Sequence, residues 1–102
     1  MKQYLSLEQT AKLIELGFER PRCLHNCELA YNVGELIEML PEAICQSNDE
    51  DTHYFLSIET DSCLWKVFYE DECEYVLCST YGVNLTDALY DMLTMLKKEG
   101  TI

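Results

Sequence analysis

Positive charge is scarce in this chain. Between Cys23 and Leu96 the only Lys or Arg is Lys66, set against 15 acidic residues. The other basic residues sit at the ends, Lys2, Lys12, Arg20 and Arg22 at one and Lys97 and Lys98 at the other, and the net charge is −12. Such a surface repels phosphates, which argues against nucleic-acid binding and against adhesion to anionic lipid. Long apolar runs are also missing. No stretch approaches the roughly 18–20 apolar residues that a membrane helix needs. The opening MKQYLSLEQTAKL has neither the apolar core nor the small-residue cleavage site of a signal peptide. A cytoplasmic location, where thiols stay reduced, is the expectation. There is no internal repeat, low-complexity tract or Gly/Ser linker. Catalytic signatures are absent too: the sequence has no P-loop, no G-x-S-x-G, no H-E-x-x-H and no dinucleotide glycine fingerprint. Its only histidines are His25 and His53.

What is present describes one globular α+β domain over residues 1–102. Hydrophobic residues make up 48% and aromatics 11%. At this length folding hides roughly 60–70% of the open chain's surface, enough for one core without covalent staples.

Six cysteines are spaced at 23, 27, 45, 63, 73 and 78. A disulfide framework requires a secretory setting, and none is visible. Cys23-Leu-His-Asn-Cys27 is a weak metal candidate with His25 as third ligand, and Cys73 with Cys78 could complete a site. A zinc module needs two close pairs, because a short loop must present both sulfurs to one ion, and these spacings match no standard module. Cys63, Cys73 and Cys78 fall in or beside expected strands, where free Cys acts as a small buried hydrophobe. No cofactor is expected.

Helical patterns stand out at three places. In SLEQTAKLIELG, residues 6–17, Ser6 and Gln9 form a capping box. Leu7, Ala11 and Ile14 recur at helical spacing, with Leu13 and Leu16 widening the stripe, and Gly17 supplies a left-handed stop on which Phe18 folds back. Residues 19–31 read as a connector, with ELAY briefly extended. In NVGELIEMLP, residues 32–41, Asn32 and Glu35 form a second box, with Tyr31 stapled on Leu36. Val33, Leu36, Ile37 and Leu40 point inward, while Glu35, Glu38 and Glu42 stay wet. PEAIC can start one further helical turn. In NLTDALYDMLTMLKKEG, residues 84–100, Leu85, Ala88, Leu89, Met92, Leu93 and Leu96 form one broad face. Lys97 and Lys98 suit its C-terminal end, and Gly100 stops it.

Between the second and third helices, QSNDEDT, residues 46–52, is a polar acidic loop. An EF-hand counted from Asp49 would need Gly and Glu where Tyr54 and Thr60 stand, so the loop reads as solvated. HYFLSIE, CLWKVFY and a third segment from about Cys73 to Thr80 are rich in aromatic and β-branched residues. Their connections, Thr60–Ser62 and Glu70–Glu72, are short, so the strands form an antiparallel meander. Tyr54, Leu56, Ile58, Trp65 and Val67 are expected to face inward. On the third strand Tyr75 and Leu77 compete with Val76 and Cys78, and the first pair is favoured. The order is α-α-β-β-β-α, with the C-terminal helix across a three-stranded sheet.

YNVGELIEMLP and LTDALYDMLTMLKKEGTI, with the opening YLSLEQTAKLIELG, resemble short acidic proteins of gut Bacteroides and relatives, often encoded on phage or other mobile elements. The resemblance covers about half the chain. It implies a bacterial cytoplasmic setting and the same helix–sheet–helix order, and it carries no site residues over.

The leading expectation is a small protein-interaction module with no catalytic activity and a basic protein as partner. A sharper form is a mobile-element inhibitor whose carboxylates imitate nucleic-acid phosphates, with Asp49, Glu50 and Asp51 of the loop and Glu70, Asp71 and Glu72 of the turn as candidate surface. A small zinc-binding domain and an unrecognised enzyme are the other readings. The small sheet and wide apolar helices also lead us to expect a patch that pairs with itself as a two-fold dimer.

Overall fold

The computed structural model describes residues 4–22, 24–25, 28–45 and 52–102. Of three helices, α1 (Leu7–Glu15), α2 (Val33–Met39) and α3 (Leu85–Lys98), α3 packs across a four-stranded antiparallel sheet, while α2 packs on α3 and α1 adds side chains to the same core. The sheet runs in the order β3 (Ala43–Cys45), β4 (His53–Asp61), β5 (Leu64–Glu70) and β6 (Val76–Gly82). In the connector, β1 (Leu24–His25) and β2 (Glu28–Leu29) form a separate hairpin, with Leu24 opposite Leu29.

The helix ends follow local chemistry. Ser6 Oγ accepts from Gln9 N at 3.2 Å, and Ser6 N donates to Gln9 Oε1 at 3.1 Å. Asn32 Oδ1 accepts from Glu35 N at 2.8 Å. These reciprocal bonds satisfy first-turn amides that have no partner inside the helix. At the other end of α1, Gly17 lies at φ 101°, Phe18 N donates to Leu13 O at 3.1 Å, and Gly17 N donates to Ile14 O at 3.0 Å. Helix α3 closes in the same way, with Gly100 at φ 77° and Thr101 N donating to Leu96 O at 2.9 Å. Both ends are Schellman motifs.

The core lies between α3 and one face of the sheet. Ala88, Leu89, Met92, Leu93 and Leu96 are each no more than 1% exposed and pack with Val67, Tyr69, Leu13, Leu36 and Leu40. Fully burying one such side chain stabilises the fold by roughly 1.5–3 kcal/mol. Gly82 lets α3 start close to the strand: a Cβ there would sit 3.0 Å from both Ala88 N and Asn84 O.

Several expectations need correction. A fourth strand, β3, occupies the segment where PEAIC was expected to start a helical turn. Leu40, preceding Pro41, is extended at ψ 139°, as the proline ring demands of its predecessor. Ala43, Ile44 and Cys45 then pair with Phe55, Tyr54 and His53, and Ile44 is buried. The buried face of α1 centres on Leu13 and Thr10, and Leu7 is 55% exposed. Glu35 is buried rather than wet. The first hairpin is tighter than expected: β4 and β5 pair through Asp61 and Leu64, leaving Ser62 and Cys63 as the turn, with Ser62 at φ 58°. On β6 the core-facing residues are Cys78 and Thr80, opposite Tyr69 and Val67, while Tyr75 is 71% exposed. A bulge opposite Tyr69 and Glu70 shifts the alternation, so Leu77 still reaches the core.

Candidate functional site

All three helices contribute to the core on one side of the sheet, which leaves the other face without a helical cover among the described residues. Strand alternation places Phe55, Ser57 and Glu59 of β4 on that outer face. Lys66, Phe68 and Glu70 of β5 join them, with Ser79 and Tyr81 of β6 beyond. The register makes Phe55, Phe68 and Tyr81 a diagonal stripe, since Phe68 is opposite Ser57 and Ser79, and Lys66 is opposite Glu59 and Tyr81. Phe55 and Tyr81 are about half exposed, whereas Phe68 is buried. Lys66 lies over this stripe, its Nζ 4.4 Å from the Phe68 ring centre and 6.0 Å from that of Tyr81. That is the range in which a ring face attracts a cation.

The acidic turn closes one end of this face. Asp71 does not present a free carboxylate. Its Oδ1 accepts from Cys73 N and Tyr75 N, both at 2.9 Å, while Asp71 N donates to Tyr75 O. This ties the chain into a tight loop in which Glu74 takes a left-handed conformation at φ 66°. Glu72 and Glu74 remain exposed, and Glu70 is half-buried opposite Phe55. Beside the turn is a shallow depression of about 190 Å³ lined by Thr52, His53, Phe55, Asp71, Glu72 and Cys73. It is smaller than the roughly 300–1,000 Å³ typical of small-molecule sites.

Of the residues singled out in the sequence, Glu70, Asp71 and Glu72 do gather at this sheet end. Cys23, Cys27, Asp49, Glu50 and Asp51 lie outside the described residues. His25 stands in β1, opposite Glu28. Among the described residues no group of three or more His, Cys, Asp or Glu side chains could hold a metal ion. Of the described cysteines, Cys63, Cys73 and Cys78 are free thiols. Cys45, Cys63 and Cys73 are exposed, so the reading of Cys63 and Cys73 as buried filler is corrected. Among the described cysteines Cys78 alone serves that role, with its Sγ 3.9 Å from Met92 Sδ. Burial pushes the Cys78 thiol up from its ordinary value, with Glu99 adding to the shift, and a thiol held protonated is a poor nucleophile.

A second polar cluster is structural. Arg22 N donates to Glu35 Oε2 at 2.8 Å, and the Arg22 guanidinium reaches Glu38 Oε2 at 2.9 Å. Tyr31 Oη donates to the Glu19 carbonyl. Together these bonds fasten the connector to α2. Glu35→Ala is expected to cost about 1–3 kcal/mol, because it removes a buried carboxylate that accepts from the part-buried Arg22 amide. Glu38→Ala, at an exposed ion pair, should cost no more than about 1 kcal/mol. Urea denaturation of the two variants checks the contrast.

The aromatic stripe was missed in the sequence reading, which asked only which parity faces inward. The signal was there: Phe55, Phe68 and Tyr81 all sit on the parity opposite the core residues. Seeing them as one stripe required the strand register. Comparison with protein-family models, with curated proteins and with solved structures yields no match.

Proposed function

We propose that this chain is an interaction module without catalytic chemistry of its own, and that its uncovered sheet face and adjoining acidic turn receive a basic segment of a partner protein. The observation that carries this reading is the Phe55–Phe68–Tyr81 stripe bordered by Glu59, Glu70, Glu72 and Glu74, with Lys66 as the single cation on that face among the described residues. Arg and Lys side chains stack on aromatic faces and form charge-assisted hydrogen bonds with carboxylates. Lys66 already sits against Phe68 and Tyr81, the contact that an incoming guanidinium would extend toward Phe55. The net charge of −12 would speed encounter with such a partner and make it salt-sensitive.

An NMR titration with an Arg-rich peptide and a Glu-rich peptide of equal length tests the reading. With the Arg-rich peptide, amide shifts should concentrate on Phe55, Ser57, Lys66, Phe68, Ser79, Tyr81 and the turn from Glu70 to Tyr75, and raised salt should diminish them. The Glu-rich peptide should produce none. Shifts spread equally over the acidic residues of α1 and α3 would mean that only bulk charge is at work, and the proposal would fail.

A further inference from the structure

We infer that β6 is the pairing edge of a two-fold dimer, in which the β6 strands of two copies of this chain lie antiparallel and join their sheets into one eight-stranded sheet. This does not rest on the basic-partner reading, which concerns the face of the sheet and not its edge. Among the described residues, strand order leaves β6 with β5 on one side and no strand on the other. Edge strands present unpaired backbone N–H and C=O groups, and proteins usually guard them with charge, proline or brevity. The opposite edge, β3, is three residues long. Edge β6 is seven residues long, and the whole segment from Tyr75 to Thr86 carries neither a charged side chain nor a proline. It is also flanked by exposed apolar groups: Tyr75 and Val83 are 71% and 73% exposed, and Val76 and Tyr81 are 45% and 49% exposed. A bulge interrupts the β5–β6 ladder only near Glu70, at the start of β6, so the stretch from Cys78 onward stays regular.

The charge pattern selects the occupant. A quarter of this chain's residues are charged, so an uncharged seven-residue strand is best matched by another without charge. Among the described strands β4 and β5 both carry charged residues, and β6 is the one long strand that does not. A two-fold axis at Ser79, the middle residue of β6, sets Ser79 against its own copy. Cys78 of one protomer then faces Thr80 of the other, and Leu77 faces Tyr81. No like charges meet across the seam, although the two bodies repel one another through their net charge. Screening should therefore strengthen this association as salt rises, whereas the basic-partner contact should weaken.

Analytical ultracentrifugation under reducing conditions, over a range of protein concentrations and at low and high salt, reads the outcome. We expect a concentration-dependent monomer–dimer equilibrium shifted toward dimer at high salt. Ser79→Lys and Ser79→Glu each place two like charges directly opposite, which disfavours pairing, so each variant alone should lose the dimer while its urea midpoint, read at a concentration where the parent chain is monomeric, stays near that of the parent. Mixing the two should restore a dimer containing one of each. A monomer mass at every concentration of the parent chain, a dimer that survives either substitution, or a mixture that stays monomeric would each overturn the inference. The Arg-rich peptide titration is read separately on the monomer, so either proposal can fail without the other.

Discussion

Leu13→Ala is expected to destabilise the protein by about 2–5 kcal/mol, while Leu7→Ala on the same helix should change stability by no more than about 0.5 kcal/mol. Leu13 is fully buried and belongs to the core cluster with Leu36 and Leu93, whereas Leu7 is 55% exposed. Removing three heavy atoms at Leu13 loses their transfer free energy and leaves a cavity that tightly packed neighbours only partly fill. At Leu7 water replaces the lost side chain. Urea unfolding with unchanged slope would report the difference as a shift in midpoint. Equal losses at the two positions would show that α1 is rotated from the orientation described above.

The second large effect concerns alkaline pH. Tyr69 is fully buried, and its hydroxyl donates to Pro41 O at 2.7 Å. Burial pushes its phenol well above the ordinary value, with Cys78 adding to the shift, and Tyr31 is raised mainly by burial as well. Each group is therefore held neutral in the folded state at pH values where the unfolded chain has already lost the proton. The sign follows from proton linkage. Below about pH 10 both states bind the proton and the full stability is present. As pH rises toward the folded-state value the unfolded chain binds fewer protons, and stability falls by up to about 1.4 kcal/mol per pH unit for each such group. Urea midpoints between pH 7 and pH 11.5 should be flat at first and then drop. Tyr69→Phe should flatten that drop and lower stability near neutrality by about 0.5–1.5 kcal/mol for the lost hydrogen bond. A drop of unchanged steepness in the variant would mean that Tyr69 contributes nothing to it.

The parts of this molecule legible in its sequence are those set by neighbours along the chain. The two capping boxes, the two glycine stops and the apolar face of α3 depend on residues three or four apart, and each appears where the sequence placed it. The short acidic connections also announced antiparallel pairing. The errors share a cause. Whether Leu7 or Leu13 is buried depends on what α1 packs against. Glu35 looked like a solvent-facing glutamate until the connector was folded over it and brought Arg22 to its carboxylate. Strand β3 is too short to show a pattern, and it exists because β4 offers it a partner.

The candidate site divides in the same way. The acidic turn was visible as Glu70-Asp71-Glu72, but not that Asp71 is committed to holding the turn closed. The aromatic stripe is spread over β4, β5 and β6, and only register brings Phe55, Phe68 and Tyr81 together. Sequence alone therefore determined the helices, their ends and the acidity, because these follow from local hydrogen bonding, side-chain periodicity and residue counts. Tertiary structure decided which face of α1 is dry, which carboxylates are free, and which strand stands unguarded at the edge, because each depends on contacts between residues far apart in the chain.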